Sequence, residues 1–142
     1  GDAGTQQSPE RTTMKRHAAL IQHSREHHLA LKLARLARFA VDSGSPEAIK
    51  QAAATVQQFL GTLEGHFRDE EAGLLVKLAA IGQETLVQRT LDEHARLRAL
   101  NDSLSSPDRA VMDSFATLLH DHVRFEEREL FETAQALLYQ EH

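Results

Sequence analysis

The sequence predicts an all-α fold, an up-down-up-down antiparallel four-helix bundle, and three observations carry that expectation. Ala, Leu, Gln, Glu and Arg dominate a chain of 142 residues with only three prolines and no tryptophan, a composition that favours helix. Apolar residues recur at a 3.6-residue period through four long stretches. The turns between those stretches are short, which suits antiparallel neighbours.

The first helix is expected to start near Thr12 or Thr13, either of which can cap it, and to run to about Asp42. Its inward stripe is Leu20, His23, His27, Ala30, Leu31, Ala34 and Val41. Gly44 suits the left-handed residue after a helix end, Ser45 a cap and Pro46 a first helical position. The second helix then runs from Pro46 to roughly residue 80, with Ile49, Ala53, Val56, Leu60, Leu63, His66, Glu70 and Leu74 on one face. Gly61, Gly65 and Gly73 each cost about 1 kcal/mol against alanine inside a helix, and either close packing or a bend would account for them. Gly82 ends the rod.

The third helix spans about Gln83 to Ser103, with Val87, Leu91, His94, Leu97 and Leu104 in phase. Ser-Ser-Pro-Asp at 105–108 repeats the cap-plus-proline signal of Ser45-Pro46-Glu47. The fourth helix continues to about Tyr139, its inward face marked by Phe115, Leu119, Leu130 and Leu137. Residues 1–13 read as a polar, disordered leader, and 14–142 as one bundle.

Several function classes are disfavoured. A net charge of -5 with interspersed signs lacks the basic face of a nucleic-acid platform. Zero cysteines exclude disulfides and thiolate metal sites. No run of eighteen apolar residues suggests a membrane span, and the N-terminus lacks a signal-peptide profile, so the expected location is the cytoplasm.

Nine histidines are many for this length, and their placement repeats. The second helix carries His66-x-Arg68-x-Glu70-Glu71 and the fourth His122-x-Arg124-x-Glu126-Glu127. The first carries Glu26-His27 and the third Glu93-His94. A His and a Glu four residues apart leave the same helix face, stacked roughly 6 Å apart. Both pairs are in phase with the apolar stripe, so they aim into the core, where unpaired polar groups are costly. A single such pair is ordinarily a solvated surface pair; two inward pairs plus a lone inward His on each remaining helix point to metal.

Four imidazoles and two carboxylates suit iron, manganese or zinc. A carboxylate has two oxygens and can bridge two cations. Counting residues from the turns places His66 and His94 within about one helical turn of each other. Across the first turn the match is looser by around five residues, roughly 7 Å, and a bend at Gly61 or Gly65 would absorb part of it.

At these residues the chain resembles the hemerythrin-like family of HHE cation-binding domains, over about residues 15–140. The motifs are Arg25-Glu-His27-His, His66-Phe-Arg-Asp-Glu70-Glu, Glu93-His94-Ala-Arg-Leu and His122-Val-Arg-Phe-Glu126-Glu-Arg-Glu-Leu-Phe131. The resemblance implies a centre of two non-haem iron ions, oxo- or hydroxo-bridged, with an open position for dioxygen, nitric oxide or peroxide. Manganese or zinc is the lesser option. By motif, His27, His66, His94 and His122 are terminal ligands and Glu70 and Glu126 the bridges.

Two departures weigh against reversible oxygen carriage. Oxygen-carrying hemerythrins have a second His one turn after the third-helix His, where this chain has Arg98, and an Asp where it has Glu126. The expected function is binding or sensing of a small diatomic molecule, O2 or NO; a peroxidase- or oxidase-type enzyme and iron handling are the alternatives. Ferritin-like storage sites use Glu-x-x-His at i,i+3, unlike the i,i+4 pairs here. No convincing general acid or base beyond the ligands settles whether the protein is an enzyme.

The other candidates have blander readings. His23 is a candidate extra ligand, against a hydrogen-bonded or water-facing role. His28, next to His27, is rotated about 100° around the helix and is the lesser alternative to His27 as a ligand. His17, His120 and His142 read as exposed or boundary residues. Glu71 and Glu127 are expected to face a neighbouring helix or solvent, with contacts to ligating imidazoles as the lesser option. Phe67, Phe125 and Phe131 are expected in the core, where they could also wall a small-molecule pocket.

Overall fold

The computed structural model describes residues 16–140, and the regular elements among them are all helical. The expected leader at 1–13, the caps at Thr12 and Thr13, and His142 lie outside the described residues. Helix α1 (Ala18–Ser43) starts on His17, whose Nδ1 accepts from the Ala19 amide at 3.0 Å. It ends where Gly44 turns left-handed at φ 69°. Ser45 then caps α2 (Pro46–Gln57) by accepting from the Ala48 amide, with Pro46 in the first turn.

The second rod is not one helix. After α2 come α3 (Leu60–Asp69), a π-helical turn (Glu70–Leu74) and α4 (Leu75–Ala80). The break falls at Gln58 and Phe59, not at Gly61 or Gly65. There both amides reach back three residues, to the carbonyls of Thr55 and Val56, a tighter turn than the α-helix allows. Gly61, Gly65 and Gly73 do not serve close packing either. A Cβ on any of them would meet no described heavy atom within 4 Å beyond its own helix.

Gly82 turns left-handed at φ 85°, and α5 (Glu84–Ser103) comes next. The following cap is Asp108, which accepts from the Val111 amide at 2.8 Å. Thus Pro107 precedes the cap of α6 (Arg109–Phe125) and does not open the helix. A second π-helical turn (Glu126–Leu130) leads into α7 (Phe131–Leu138).

The helices form a bundle: α1 packs along α6 and α2, α5 lies against α6 and α4, and α4 also meets α7. Two expected inward residues are exposed. Leu91 lies about 110° around the helix from the centre of the buried face of α5, which is made by Thr90, Glu93, His94 and Leu97. Leu137 is 54% exposed because the π turn upstream inserts a residue and rotates the remainder of the rod. Leu138 takes its phase and packs with the core.

The core has two apolar clusters. The larger includes Ala34, Val56, Phe67, Leu97, Met112, Phe115 and Leu119. The smaller includes Leu20, Leu74, Leu78, Phe125, Leu130 and Phe131. Where the two clusters meet along each rod sit His27, His66 with Glu70, His94, and His122 with Glu126, all buried. A polar layer thus divides the hydrophobic interior.

Candidate metal centre

The layer is assembled from i,i+4 pairs completed by single histidines of other helices. In α3, His66 Nε2 lies 3.0 Å from Glu70 Oε2. In α6, His122 Nε2 lies 3.1 Å from Glu126 Oε2. His94 of α5 brings Nε2 to 3.1 Å from Glu70 Oε1, and His27 of α1 brings Nε2 to 2.7 Å from Glu126 Oε1. The loose register expected between the first two rods is closed, with the His27 and His66 rings 5.1 Å apart.

Each glutamate therefore turns one oxygen to each side. His27 and His66 face Glu126 Oε1 and Glu70 Oε2, while His94 and His122 face Glu70 Oε1 and Glu126 Oε2. In each four-residue set, one nitrogen or oxygen from every member lies within 4.8 Å of the others. The two sets share Glu70 and Glu126.

These atoms are shielded from water, and most lack hydrogen bonds. Among the described residues, Nε2 of His66, His94 and His122, both oxygens of Glu70 and Oε2 of Glu126 have no hydrogen-bond partner. Leaving that many buried polar atoms unsatisfied is costly. Cations at the foci of the two sets would satisfy them, and imidazole with carboxylate is a donor set for divalent transition metals. The site fits a metal.

A second ring of carboxylates fixes the imidazoles from outside. Glu127 accepts from His27 Nδ1 at 2.7 Å, Glu26 from His66 Nδ1 at 2.5 Å, Glu71 from His94 Nδ1 at 2.7 Å and Glu93 from His122 Nδ1 at 2.6 Å. A carboxylate acceptor holds a proton on Nδ1, so that when a cation replaces the Nε2 proton it is the Nε2 lone pair that faces inward. The pattern is cyclic: the first rod holds the second, the second the third, the third the fourth, and the fourth the first.

Arginines back this ring. Arg98 spans Glu64 and Glu71 with four hydrogen bonds, Arg89 donates to Glu93 at 3.0 Å, and Arg16 donates to Glu127 at 3.1 Å. Ser24 also donates to Glu127.

The electrostatics agree. Burial alone would push the imidazoles down, but the carboxylates of Glu126 and Glu70 outweigh it. His66 is raised to about 11 and His94 to about 9. Burial likewise opposes protonation of His122, and the Glu126 charge lifts it to about 10. His27 is also raised, burial again being overcome by Glu126 and Glu127. Burial pushes the Glu126 carboxyl up, yet His122 and the other imidazoles hold it well below the usual range. The cage demands positive charge.

Both π turns begin at a cage glutamate. The Leu75 amide reaches Glu70 and the Phe131 amide reaches Glu126, each five residues back, a widening frequent at functional sites. Phe67 stacks on His94 at 4.3 Å and Phe131 on His27 at 5.2 Å between centroids. Phe125 is buried in the smaller cluster.

All six sequence-selected residues converge. His23 stands apart from both sets, in a group with Glu26 and His66. His28 and His120 are exposed. Glu71 and Glu127 hold ligand-set imidazoles and do not merely face a neighbour or solvent. The sequence reading does not reach the roles of Glu26 and Glu93. Their signal is the repeated Glu-His dipeptide, but a residue adjacent to a histidine points about 100° away, toward another helix.

A family model for the hemerythrin HHE cation binding domain matches residues 16–134. No curated protein and no solved structure matches the chain.

Proposed function

This chain belongs to the hemerythrin HHE cation-binding family, and from that premise we propose that it is a non-haem di-iron protein that binds or senses O2 or NO. His27 and His66 would hold one iron, His94 and His122 the other, with Glu70 and Glu126 bridging. The observation that carries this reading is that each of the two glutamates offers one oxygen to each histidine pair. An up-down-up-down order of four rods belongs to the same proposal, and the short turns at Gly44 and Gly82 favour it.

Bound there, an iron pair would supply redox chemistry and an open position for a small molecule. The chain's own part is binding, orientation and exclusion of water. Four Nε2 atoms and two carboxylates provide the ligand atoms. The outer glutamates keep a proton on each Nδ1 and so keep each ring turned inward. Phe67 and Phe131 lie flat against His94 and His27, and the apolar clusters close the layer from both ends.

Arg98 argues for sensing or reaction over oxygen carriage. Its guanidinium is committed to Glu64 and Glu71 and has no lone pair to offer a metal, so the His94 side keeps two imidazoles. The test is elemental analysis with an optical spectrum of freshly purified protein. Two irons per chain, with bands that change on adding O2, azide or NO, are expected. An iron-loaded protein whose spectrum ignores all three ends the gas-binding reading; catalytic turnover of peroxide with a reductant would favour the enzyme alternative.

A further inference from the structure

We propose that His23 and Glu26 form a third divalent-cation site at the edge of the cage, a loading site through which ions reach it. The proposal rests on the two-cation reading only for the ion's destination. It starts from an asymmetry in the outer ring. Among the described residues, Glu71, Glu93 and Glu127 each carry an arginine, Arg98, Arg89 and Arg16. Glu26 does not. Its partners are the neutral amide of Gln22 and His66 Nδ1.

Gln22 stands four residues before Glu26, as Arg89 stands before Glu93. Among the described residues no guanidinium therefore covers this carboxylate, and His23, one turn before Glu26 on α1, lies beside it. Its Nδ1 is shielded from water and has no hydrogen-bond partner among the described residues. Ligand atoms of His23, Glu26 and His66 lie within 4.8 Å of one another, and the His23 and His66 rings meet edge to face at 5.4 Å. The Glu26 side chain is 26% exposed, so a hydrated ion can reach it from solvent.

A carboxylate has about four lone-pair sites, so Glu26 can take a cation and still accept from His66 and Gln22. One imidazole, one carboxylate and waters make a weaker site than the cage, as a station that must release its ion requires. His66 belongs to this group and to the first four-residue set. An ion held at His23 and Glu26 is thus one imidazole away from the cage.

The experiment is anaerobic titration of the metal-free full chain with Co(II), followed by calorimetry for the ion count and by stopped-flow absorption for filling. Wild type should take up two tight ions and one weaker ion. His23→Ala should keep the two, which also shows that it is folded, lose the third, and fill at least ten-fold more slowly at limiting Co(II). A His23→Ala chain that keeps the third ion or fills at the wild-type rate overturns the proposal. So does a wild type that binds two tight ions and no third, an outcome that leaves the cage reading intact. Absence of tight ions overturns the cage reading instead, and the third site then stands only if a weak ion disappears in His23→Ala.

Discussion

His94 is held by two consecutive glutamates of one neighbouring rod: its Nε2 lies 3.1 Å from Glu70 and its Nδ1 2.7 Å from Glu71. The two contacts have different consequences. Glu71→Ala leaves the Nδ1–H without its acceptor and frees Arg98 from half its contacts. Metal affinity should fall roughly 10- to 100-fold, the usual effect of removing such an outer partner, while helix content stays unchanged. Competition with a chelator of known affinity measures the loss; an unchanged midpoint would show that Glu71 does not orient the ligand.

Glu70→Ala should do more, since it removes one oxygen from each histidine pair. Elemental analysis should find at most one tightly held ion per chain where the proposed centre in wild type would hold two. Retention of two tight ions would mean the carboxylate does not bridge them.

The six-residue cage exists only in the folded chain, so metal held there should raise folding stability by linkage. At a free metal concentration a hundred times the dissociation constant the gain is about 2.7 kcal/mol. For a chain of this size that is an upward shift in melting temperature of roughly 10 °C. Chelator treatment should reverse it, and equal melting curves with and without metal would contradict binding in the core.

The pH dependence should change sign with loading. In the metal-free protein His66, His94 and His122 sit at about 11, 9 and 10, above the ordinary 6.5. A raised imidazole contributes stability that is fully present below 6.5 and is lost as pH climbs through those values. Glu126, held below its ordinary 4.5, contributes stability that is lost as pH falls. The metal-free chain should therefore be most stable between about pH 4.5 and 6.5, and should melt earlier at pH 10 than at pH 6. With metal bound the imidazoles must be neutral, so protons compete and acid weakens the complex. Thermal melts across pH, with and without metal, check both slopes.

Gly65→Ala should stabilise the chain by about 0.5–1 kcal/mol, because alanine restricts the unfolded chain and suits a helix interior. Its Cβ has open space. A loss of stability would show that the glycine is needed for a conformation other than the helix described.

The parts of this architecture readable from sequence are those written within a single helix. His66 with Glu70 and His122 with Glu126 are one turn apart, so their shared direction comes from helix geometry, and the surrounding Leu and Phe show which way is inward. Gly44, Ser45 and Pro46 mark a boundary through local backbone preference alone. Two kinds of information are hidden. The π turns after Glu70 and Glu126 shift the phase of everything downstream, which is why Leu137 faces solvent and Leu138 does not. The outer contacts of Glu26, Glu71, Glu93 and Glu127 each cross from one rod to another, so they depend on how the helices are rotated against each other. Leu91 departs from its expected place for the same reason: the buried face of α5 includes Thr90 and Glu93, polar residues that a hydrophobic pattern does not count.

The division of the hydrophobic interior by a polar layer bears on how the molecule breathes. Leu20, Leu74, Leu78, Phe125 and Phe131 make a small oily cap that is separate from the larger cluster. Stripped of metal, that end has little to anchor it, and the amides of α4 and α7 should exchange with solvent well before those in the middle of α1 and α6. Loading the cage rivets the two ends together, so occupancy becomes visible as mobility at the far tip of the rods.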